Sequence, residues 1–406
     1  MAADVVVIGA GISGLTCAGR LAGAGLDVIV YEGRDRIGGR IRTFHPADGG
    51  RPAELGAQVV HGTRNPVHEI VGEQNTQIVS RDVRACAIVG GVGGDMSVLG
   101  RGQNAPWALQ RQLNVAPGLD DADVDKWLMA RGLTDAEEAA AREWFRQHWA
   151  ADPDVLSTRA VAAAHRGDQA FDDAEYTVRG GFDQLPRLLA RDLEVRTGCP
   201  VSSVRWHPGR IKAVTGEGVA AGSAVVITVP CAVVTAGGLV IEDLPPGKAA
   251  AAAALRPGDG YCAVVTFSRP APDTAIVFDA DGARGFVSSQ AGRPEVLVVA
   301  KAGAAATVRH ARDLAAFLRP ALPWTAGARV VESAVADWGG DRYSLGAFTH
   351  AGFGAGQAAA VWAQPVADTL FFAGEATVAG TRLPWVQGAM ASGIRAAGQI
   401  LEVARK

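Results

Sequence analysis

Three glycines near the amino terminus have the spacing of a phosphate-binding turn. Residues 9–14 read GAGISG; they follow the β-branched run at 5–8 and precede a segment with apolar residues at helical spacing. Gly9 permits a tight turn, Gly11 lets the backbone approach a phosphate, and Gly14 lets the following helix pack closely on the strand. The helix amino terminus offers unpaired N–H groups and a positive dipole end to an anion. The pattern therefore predicts a turn that binds nucleotide phosphates.

An acidic residue follows the strand, glycine turn and helix at the end of a second strand. A second apolar strand, at 27–31, ends in Glu32. At this point of a strand–helix–strand unit, a carboxylate accepts hydrogen bonds from ribose hydroxyls and repels a 2′-phosphate. A purely structural glycine turn is the alternative, but strand, helix and acid together count against it. The motif fits both FAD and NAD.

A second glycine pair distinguishes between these two cofactors. Gly38 and Gly39 are followed by Arg40, within the sequence GRDRIGGRIRT at 33–43. A cofactor extended by a ribityl chain and a flavin requires a second backbone segment close to it. The two parallel N–H donors of Arg40 match a phosphate. The second segment therefore favours FAD.

These motifs resemble the flavin-containing amine oxidases, which include monoamine oxidases, polyamine oxidases and lysine-specific histone demethylases. Further matches are ELGAQVVHG at 54–62, RGGFDQLP at 179–186, the W-x-x-D-x-Y-S-x-G pattern at 338–346 and FFAGE at 371–375. The resemblance implies an α/β fold: a Rossmann-like FAD-binding domain, doubly wound with three layers, and an inserted α+β substrate-binding domain.

The resemblance also implies domain boundaries. The FAD-binding domain is expected to be discontinuous, and the substrate-binding domain to fill the two gaps. The expected FAD-binding segments are 1–60, 180–232 and 336–406, and the substrate-binding segments are 61–179 and 233–335. Within the latter, periodicity predicts helices at 123–129, 135–149 and 309–318 and strands at 261–267, 275–278 and 295–300.

The cofactor-binding residues implied by the resemblance come from both ends of the chain. They are Gly9, Gly11, Ile12, Ser13, Gly14, Glu32, Gly33, Arg34, Gly38, Gly39, Arg40, Leu55, Gly56, Ala57, Gln58, Val201, Val229, Trp338, Gly374, Glu375, Trp385, Val386 and Ala389. The backbone of Val201 is expected to meet the adenine, and Glu375 to accept from ribityl or ribose hydroxyls. Ala347 stands where monoamine oxidases carry a cysteine bonded to the flavin, so the FAD is expected to be non-covalent.

Three residues are expected at the reaction centre. The resemblance places Phe348 and Trp385 at the two positions of an aromatic cage and His61 in the substrate tunnel. It implies that a neutral amine lies against the flavin, that hydride passes to flavin N5, and that the imine is then hydrolysed. Plainer interpretations are a locally bonded histidine at position 61 and a packing role for Trp385.

The main departure from the family pattern is the absence of a lysine. Many relatives carry a lysine that holds a water near flavin N5, and the best register puts Ala263 at that position. An uncharged residue there puts fast oxidase activity in doubt. Lys301 is expected on the surface, because lysine is rarely buried without a partner.

Composition limits the other classes of function. The chain has 406 residues, 48% hydrophobic and 20% charged, with a net charge of -3. This gives no electrostatic case for nucleic acid or an anionic membrane. Five cysteines without C-x-x-C spacing argue against a disulfide framework or a metal site and favour the cytoplasm.

Two alternatives to amine oxidation remain. One is a flavoenzyme of the same fold that oxidises C–C or C–O bonds, similar to a desaturase or porphyrinogen oxidase. The other is a flavin-binding interaction protein. For an amine oxidase, the expected partners are a small-molecule amine and O2 or another electron acceptor.

Overall fold

The computed structural model describes residues 3–47, 49–79, 83–116, 118–168, 172 and 174–405. Strands in this part of the chain are β1 Ala3–Ile8, β2 Val28–Tyr31, β3 Thr43–Phe44, β4 Ala53–Glu54, β5 Val60–His61, β6 Thr76–Ile78, β7 Arg84–Val89, β8 Val92–Asp95, β9 Glu175–Val178, β10 Glu194–Arg196, β11 Val201–His207, β12 Arg210–Thr215, β13 Gly218–Ile227, β14 Val240–Ile241, β15 Gly260–Phe267, β16 Ala275–Asp279, β17 Phe286–Ser289, β18 Glu295–Lys301, β19 Val330–Asp337 and β20 Leu370–Phe372.

The α-helices in the same residues are α1 Ile12–Gly23, α2 Pro66–Val71, α3 Pro106–Val115, α4 Val124–Met129, α5 Asp135–Trp149, α6 Thr158–Gly167, α7 Gln184–Leu189, α8 Cys231–Thr235, α9 Pro246–Ala254, α10 Gly303–Arg309, α11 Leu314–Leu318, α12 Ala355–Ala363 and α13 Val386–Ala404. Short 3-10 turns lie at Glu73–Asn75, Met96–Leu99, Gly102–Asn104, Pro153–Val155, Pro323–Thr325 and Glu375–Val378.

An eight-stranded sheet carries the glycine motif. Its order is β10-β2-β1-β13-β12-β11-β14, and β20 pairs with β13. The strands β10, β2, β1, β13 and β20 run parallel. Residues 5–8 of β1 are buried, as a β-branched run covered on both faces requires. The carboxyl ends of these parallel strands meet at one edge, where α/β proteins bind their ligands.

Helices cover both faces of this sheet. On one face, α1 and α13 pack against it through a cluster that includes Leu15, Phe371 and Ile400. On the other face, α9 and α12 contribute to a cluster in which Trp362 lies against Phe372, with ring centroids 4.5 Å apart. The resulting three-layer, doubly wound arrangement confirms the predicted fold class.

A seven-stranded sheet lies beside the first. Its order is β19-β15-β18-β17-β16-β7-β8. Only the β16–β7 pair is parallel among the neighbours in this described sheet. One face packs against α10 and α11 through residues that include Ala263, Val265 and Val298. The opposite face carries Cys262 and Val264, which pack near Trp338. The predicted strands at 261–267, 275–278 and 295–300 are each confirmed to within one residue.

The predicted helix at 309–318 is wrong. Helix α10 ends at Arg309 and α11 begins at Leu314. Asp313 separates them because its side chain accepts a hydrogen bond from the backbone N–H of Ala316 and so caps the second helix.

Four helices, α3 to α6, form a separate cluster. It includes the buried residues Leu109, Phe145 and Trp149. Helix α5 occupies the residues that periodicity predicts, and its first turn is fixed by a capping box between Thr134 and Glu137. Trp149 is thus a core anchor in this part of the molecule.

The chain visits the eight-stranded sheet in three stretches, 3–31, 194–241 and 370–372. The exact division into two discontinuous domains stays a prediction. None of the described helices is long and apolar enough to cross a lipid bilayer.

Candidate active site

A cavity of about 1220 Å³ opens at the carboxyl edge of the parallel strands. It extends from the glycine motif to the facing strands β15 and β18 of the seven-stranded sheet. Ordinary small-molecule pockets measure about 300–1,000 Å³. This cavity is larger, which suits a cofactor together with a substrate.

The glycine motif folds as its sequence predicts. Gly9 has a φ of +106°, a conformation that favours glycine. A Cβ on Gly14 would lie 2.0 Å from the backbone oxygen of Gly9, so only glycine fits there. Gly11, Ile12 and Ser13 line the cavity at the start of α1, and Gly11 provides no side-chain cap. The amides of this first turn are therefore available to an anion.

The second glycine pair approaches the first. A Cβ on Gly39 would lie 3.2 Å from the Cα of Gly11, and Gly39 adopts a φ of +58°. The two backbone segments thus form a narrow cradle along the cavity. A cradle of this kind fits the pyrophosphate of a dinucleotide and is consistent with FAD.

Glu32 is held in place by backbone amides. Its side-chain oxygens accept hydrogen bonds from the N–H groups of Ala10 and Arg34, each at 2.9 Å. The residue is 4% exposed and lines the cavity at the end of β2. This is the position from which a carboxylate reaches a ribose.

Arg34 connects the amino-terminal motif to a distant segment. Its guanidinium donates to Asp341 at 2.9 and 3.2 Å and to Ser344 at 2.7 Å. Trp338 makes a similar connection, because its Nε1–H donates to the backbone oxygen of Leu55 at 2.9 Å. Segment 338–346 is therefore fixed against the cofactor edge of the sheet.

Arg40 and Glu375 are paired with each other. Arg40 Nη1 donates to Glu375 Oε1 at 3.0 Å and to the backbone oxygen of Ala347 at 2.9 Å. Glu375 is 6% exposed and also accepts from the hydroxyl of Thr349 at 3.0 Å. The sequence predicted separate partners on the cofactor for these residues. Both line the cavity, and their roles toward the cofactor stay predictions.

Most of the predicted cofactor residues face the cavity. Two do not: Gly14 packs against Gly9 and Thr228, and the side chain of Leu55 is buried in a cluster with Trp338. Those that line the cavity are Gly9, Gly11, Ile12, Ser13, Glu32, Gly33, Arg34, Gly38, Gly39, Arg40, Gly56, Ala57, Gln58, Val201, Val229, Trp338, Gly374, Glu375, Trp385, Val386 and Ala389.

The predicted reaction-centre residues all line this cavity. The rings of His61 and Trp385 stack, with centroids 3.6 Å apart and planes 13° apart. Trp385 lies immediately before α13, and Phe348 also lines the cavity. These three rings line what we call the aromatic compartment, and their roles toward the substrate stay predictions.

His61 is neutral at neutral pH. Burial lowers its pKa to about 4, and the charge of Lys301 adds to the effect. Its Nδ1 lies 3.5 Å from a side-chain oxygen of Glu175. Its ring also stacks on the tryptophan, so both a local contact and a role in the substrate tunnel stay open.

The predicted surface position of Lys301 is wrong. Lys301 is half-buried and lines the cavity at the end of β18. Its ammonium lies 5.4 Å from the centroid of Phe348 and donates to the backbone oxygen of Gln147 at 2.6 Å. Burial lowers its pKa to about 8. Alternation along β18 was the signal, since Lys301 falls on the same face as Val299.

The predicted register of β15 is wrong by one residue. Ala263 is fully buried among Val265 and Val298, on the face away from the cavity. Cys262 lines the cavity instead. Successive side chains of a strand point to opposite faces, so the residue of this strand that faces the cofactor edge is Cys262.

The doubly wound sheet and its phosphate cradle define the class of dinucleotide-binding proteins. The family described as flavin containing amine oxidoreductase matches residues 12–401. The chain belongs to that family. The expectation of FAD as cofactor is thereby confirmed, and the alternatives of C–C or C–O oxidation and of a non-enzymatic flavin protein are not favoured.

Relatives in this family cover different shares of the chain. Polyamine oxidase 3 of Oryza sativa subsp. japonica is 26% identical over 449 residues, which cover 97% of this chain and 88% of the relative. AofH of Mycobacterium tuberculosis, named as a flavin-containing monoamine oxidase, is 28% identical over 263 residues. That match covers 56% of this chain and 57% of AofH, so the chain spans little more than half of that relative.

Solved structures share the fold. A mutant of putrescine oxidase superposes with a TM-score of 0.80 at 19% identity, over all of both chains. Cyclohexylamine oxidase from Brevibacterium oxydans IH-35A superposes with a TM-score of 0.79 at 20% identity, also over all of both chains.

Proposed function

We propose that this protein is an FAD-dependent amine oxidase that converts the C–N bond of a small-molecule amine to an imine. The observation that carries the proposal is that the stacked His61–Trp385 pair and Phe348 line the same cavity as the cofactor cradle. Aromatic walls admit a neutral amine and exclude water.

The chain supplies groups for each part of FAD. Glu32 suits the ribose of the adenosine half, and the amides at the start of α1, with Gly39 opposite, suit the pyrophosphate. Val201 and Glu375 line the same cavity and suit the adenine and the ribityl chain. When bound, FAD supplies the acceptor for the hydride of the amine α-carbon.

The side chains at the reaction centre orient the amine. His61 stays uncharged above its pKa of about 4, so at neutral pH it adds no positive charge beside the amine. Its stacked ring and that of Trp385 form one rigid wall, and Phe348 forms another. These residues hold the α-carbon in place and exclude water.

Three finer features belong to the proposal. Non-covalent FAD is supported by Ala347, which has no side-chain nucleophile. O2 is proposed as the electron acceptor, by analogy with the family. A cytoplasmic location is supported by Cys17, Cys86, Cys199, Cys231 and Cys262, all of which are free thiols.

The proposal is tested by the flavin itself. The purified protein should be yellow, and acid precipitation should leave FAD in the supernatant. Anaerobic mixing with a panel of amines should bleach the flavin, whereas polycyclic hydrocarbons and porphyrinogens should not. A folded but colourless protein, or bleaching only by the second group, contradicts the proposal.

A further inference from the structure

Gln147 fixes Lys301 at three points. The Lys301 ammonium donates to the backbone oxygen of Gln147 at 2.6 Å. The backbone N–H of Lys301 donates to Gln147 Oε1 at 3.0 Å, and its backbone oxygen accepts from Gln147 Nε2 at 2.9 Å. Gln147 lies in the last turn of α5, where the carbonyl groups at the negative end of a helix attract a cation. The charge of Lys301 is therefore held in one place.

This charge acts across the aromatic compartment. The ammonium is 5.4 Å from the centroid of Phe348 on one side. It also contributes to the low pKa of His61, which stacks on Trp385. An amine in this compartment lies within the electrostatic field of Lys301.

Three carboxylates of the cavity lining have partners other than Lys301, and Asp168 keeps one buried oxygen without a hydrogen-bond donor among the described residues. Asp168 accepts from the backbone N–H of Leu383, Asp172 accepts from the hydroxyl of Thr63, and Glu175 lies near His61. Among the described residues, no carboxylate comes within salt-bridge distance of Lys301. Its ammonium is therefore not neutralised by direct contact with a carboxylate of these residues.

We propose that Lys301 sets the charge selectivity of the site, which takes monoamines and excludes diamines and polyamines. The inference rests on the proposed amine oxidation and names its substrate class. A second ammonium group would lie against a fixed like charge, which disfavours binding by about tenfold or more at these separations. The same charge lowers the pKa of the bound amine, which leaves the neutral amine with the lone pair that its oxidation requires.

Three planar probes of similar shape test this charge selectivity directly. Benzoate, benzamide and benzamidinium differ in charge, and their binding to the oxidised holoenzyme at pH 7 is followed by the change in flavin absorbance. We expect benzoate to bind most tightly and benzamidinium least, with about tenfold or more between them. The Lys301→Met variant should lose this order, and Lys301→Arg should keep it.

A matched control separates this effect from a general loss of a lysine. Lys212 is exposed on β12, so Lys212→Met should leave the order of affinities unchanged. Equal affinities for the three probes in the wild type overturn the inference, as does a folded Lys301→Met variant that keeps the order. If Lys301→Met does not fold, the inference is tested by the affinities of the three probes for the wild type and for Lys301→Arg.

A pair of amines distinguishes this inference from the function on which it rests. Anaerobic flavin reduction by butylamine should exceed that by putrescine by about tenfold at equal concentration, and Lys301→Met should narrow the gap. Equal reduction by both amines refutes the inference and leaves amine oxidation intact. If no amine reduces the flavin while the probe order still depends on Lys301, only the proposed function fails.

Discussion

At the scale of single residues, the site depends on buried charges that the backbone holds in place. Glu32 is held by two amides and Lys301 by Gln147. Buried polar groups of this kind are costly to leave without partners. Replacing either residue therefore leaves its hydrogen-bond partners unpaired. It also removes the interaction of that residue with the ligand.

Replacing Glu32 with alanine should weaken FAD binding and lower stability. The ribose loses its acceptor, and the amides of Ala10 and Arg34 lose theirs, at a cost of about 1–3 kcal/mol for each buried group left unpaired. FAD retention during gel filtration and the free energy of unfolding measure the two effects. Glu402, exposed near the end of α13, provides the control: Glu402→Ala should change neither.

The preference for an anionic probe should depend on pH. The Lys301 pKa is lowered to about 8, so its ammonium is charged below that value and neutral above it. The preference for benzoate over benzamidinium should thus be present at pH 7 and disappear as the pH rises through 8 and above. Probe titrations from pH 6.5 to 9.5 measure this loss.

Two histidines and a cysteine near Lys301 do not titrate in this range, whereas burial raises the pKa of the nearby Glu143. His61 and His148 have pKa values lowered to about 4 by burial, and burial raises that of Cys262 to about 11. Glu143 contacts Gln147 and lies near Arg146. Lys301→Arg should keep the preference at pH 9.5, because arginine remains charged; a loss in that variant would assign the titration to another group.

Sequence patterns identify residues whose role depends on their neighbours in the chain. They miss residues whose role depends on which face of a strand meets the cavity. Glu32 and the glycines are predictable because strand, turn and helix follow one another in the chain. Lys301 and Cys262 are not, because their role depends on which face of a strand meets the cavity. Alternation separates the two faces of β15 and β18 but does not say which face is which.

At the scale of elements, α1 and α13 position the phosphate-binding turn by close contact. A Cβ on Gly393 of α13 would lie 2.3 Å from the backbone oxygen of Ser13. The helix at the carboxyl end of the chain thus fixes the first turn of α1. Its beginning near Val386 was predictable from sequence, whereas the break between α10 and α11 was missed, although Asp313 is a good helix cap.

Two glycines of α13 provide a matched test of this contact. Gly393→Ala should destabilise the protein by about 1–3 kcal/mol, because the extra methyl group forces the two helices apart. Gly398→Ala, on the same helix with open space around its Cβ, should stabilise it by up to about 1 kcal/mol through helix propensity. Chemical denaturation measures both, and a similar loss in the two variants would contradict close packing at Gly393.

At the scale of the whole molecule, the cavity lies between two sheets and its lining comes from many parts of the chain. A ligand that fills it therefore stabilises both sheets together. FAD added to apoprotein at a hundredfold excess over its Kd should add about 2.7 kcal/mol of stability, seen as a rise in Tm.

FMN, which lacks the adenosine half, should raise the Tm much less. It lacks the ribose and the adenine that Glu32 and Val201 are proposed to bind. Thermal unfolding of apoprotein with FAD, FMN or neither makes the comparison. An equal effect of FMN would show that the segment around Glu32 contributes no binding energy.

The contact between α1 and α13 has a consequence for biosynthesis. The phosphate-binding turn is synthesised long before the helix that supports it, which spans Val386–Ala404. Strand β20 and the arginine partner Glu375 are also made late. Chain synthesis proceeds at about 5–20 residues per second, so α13 is made tens of seconds after the phosphate-binding turn. Cofactor loading is therefore expected to follow translation, and a chain truncated before α13 is expected to be released without its flavin.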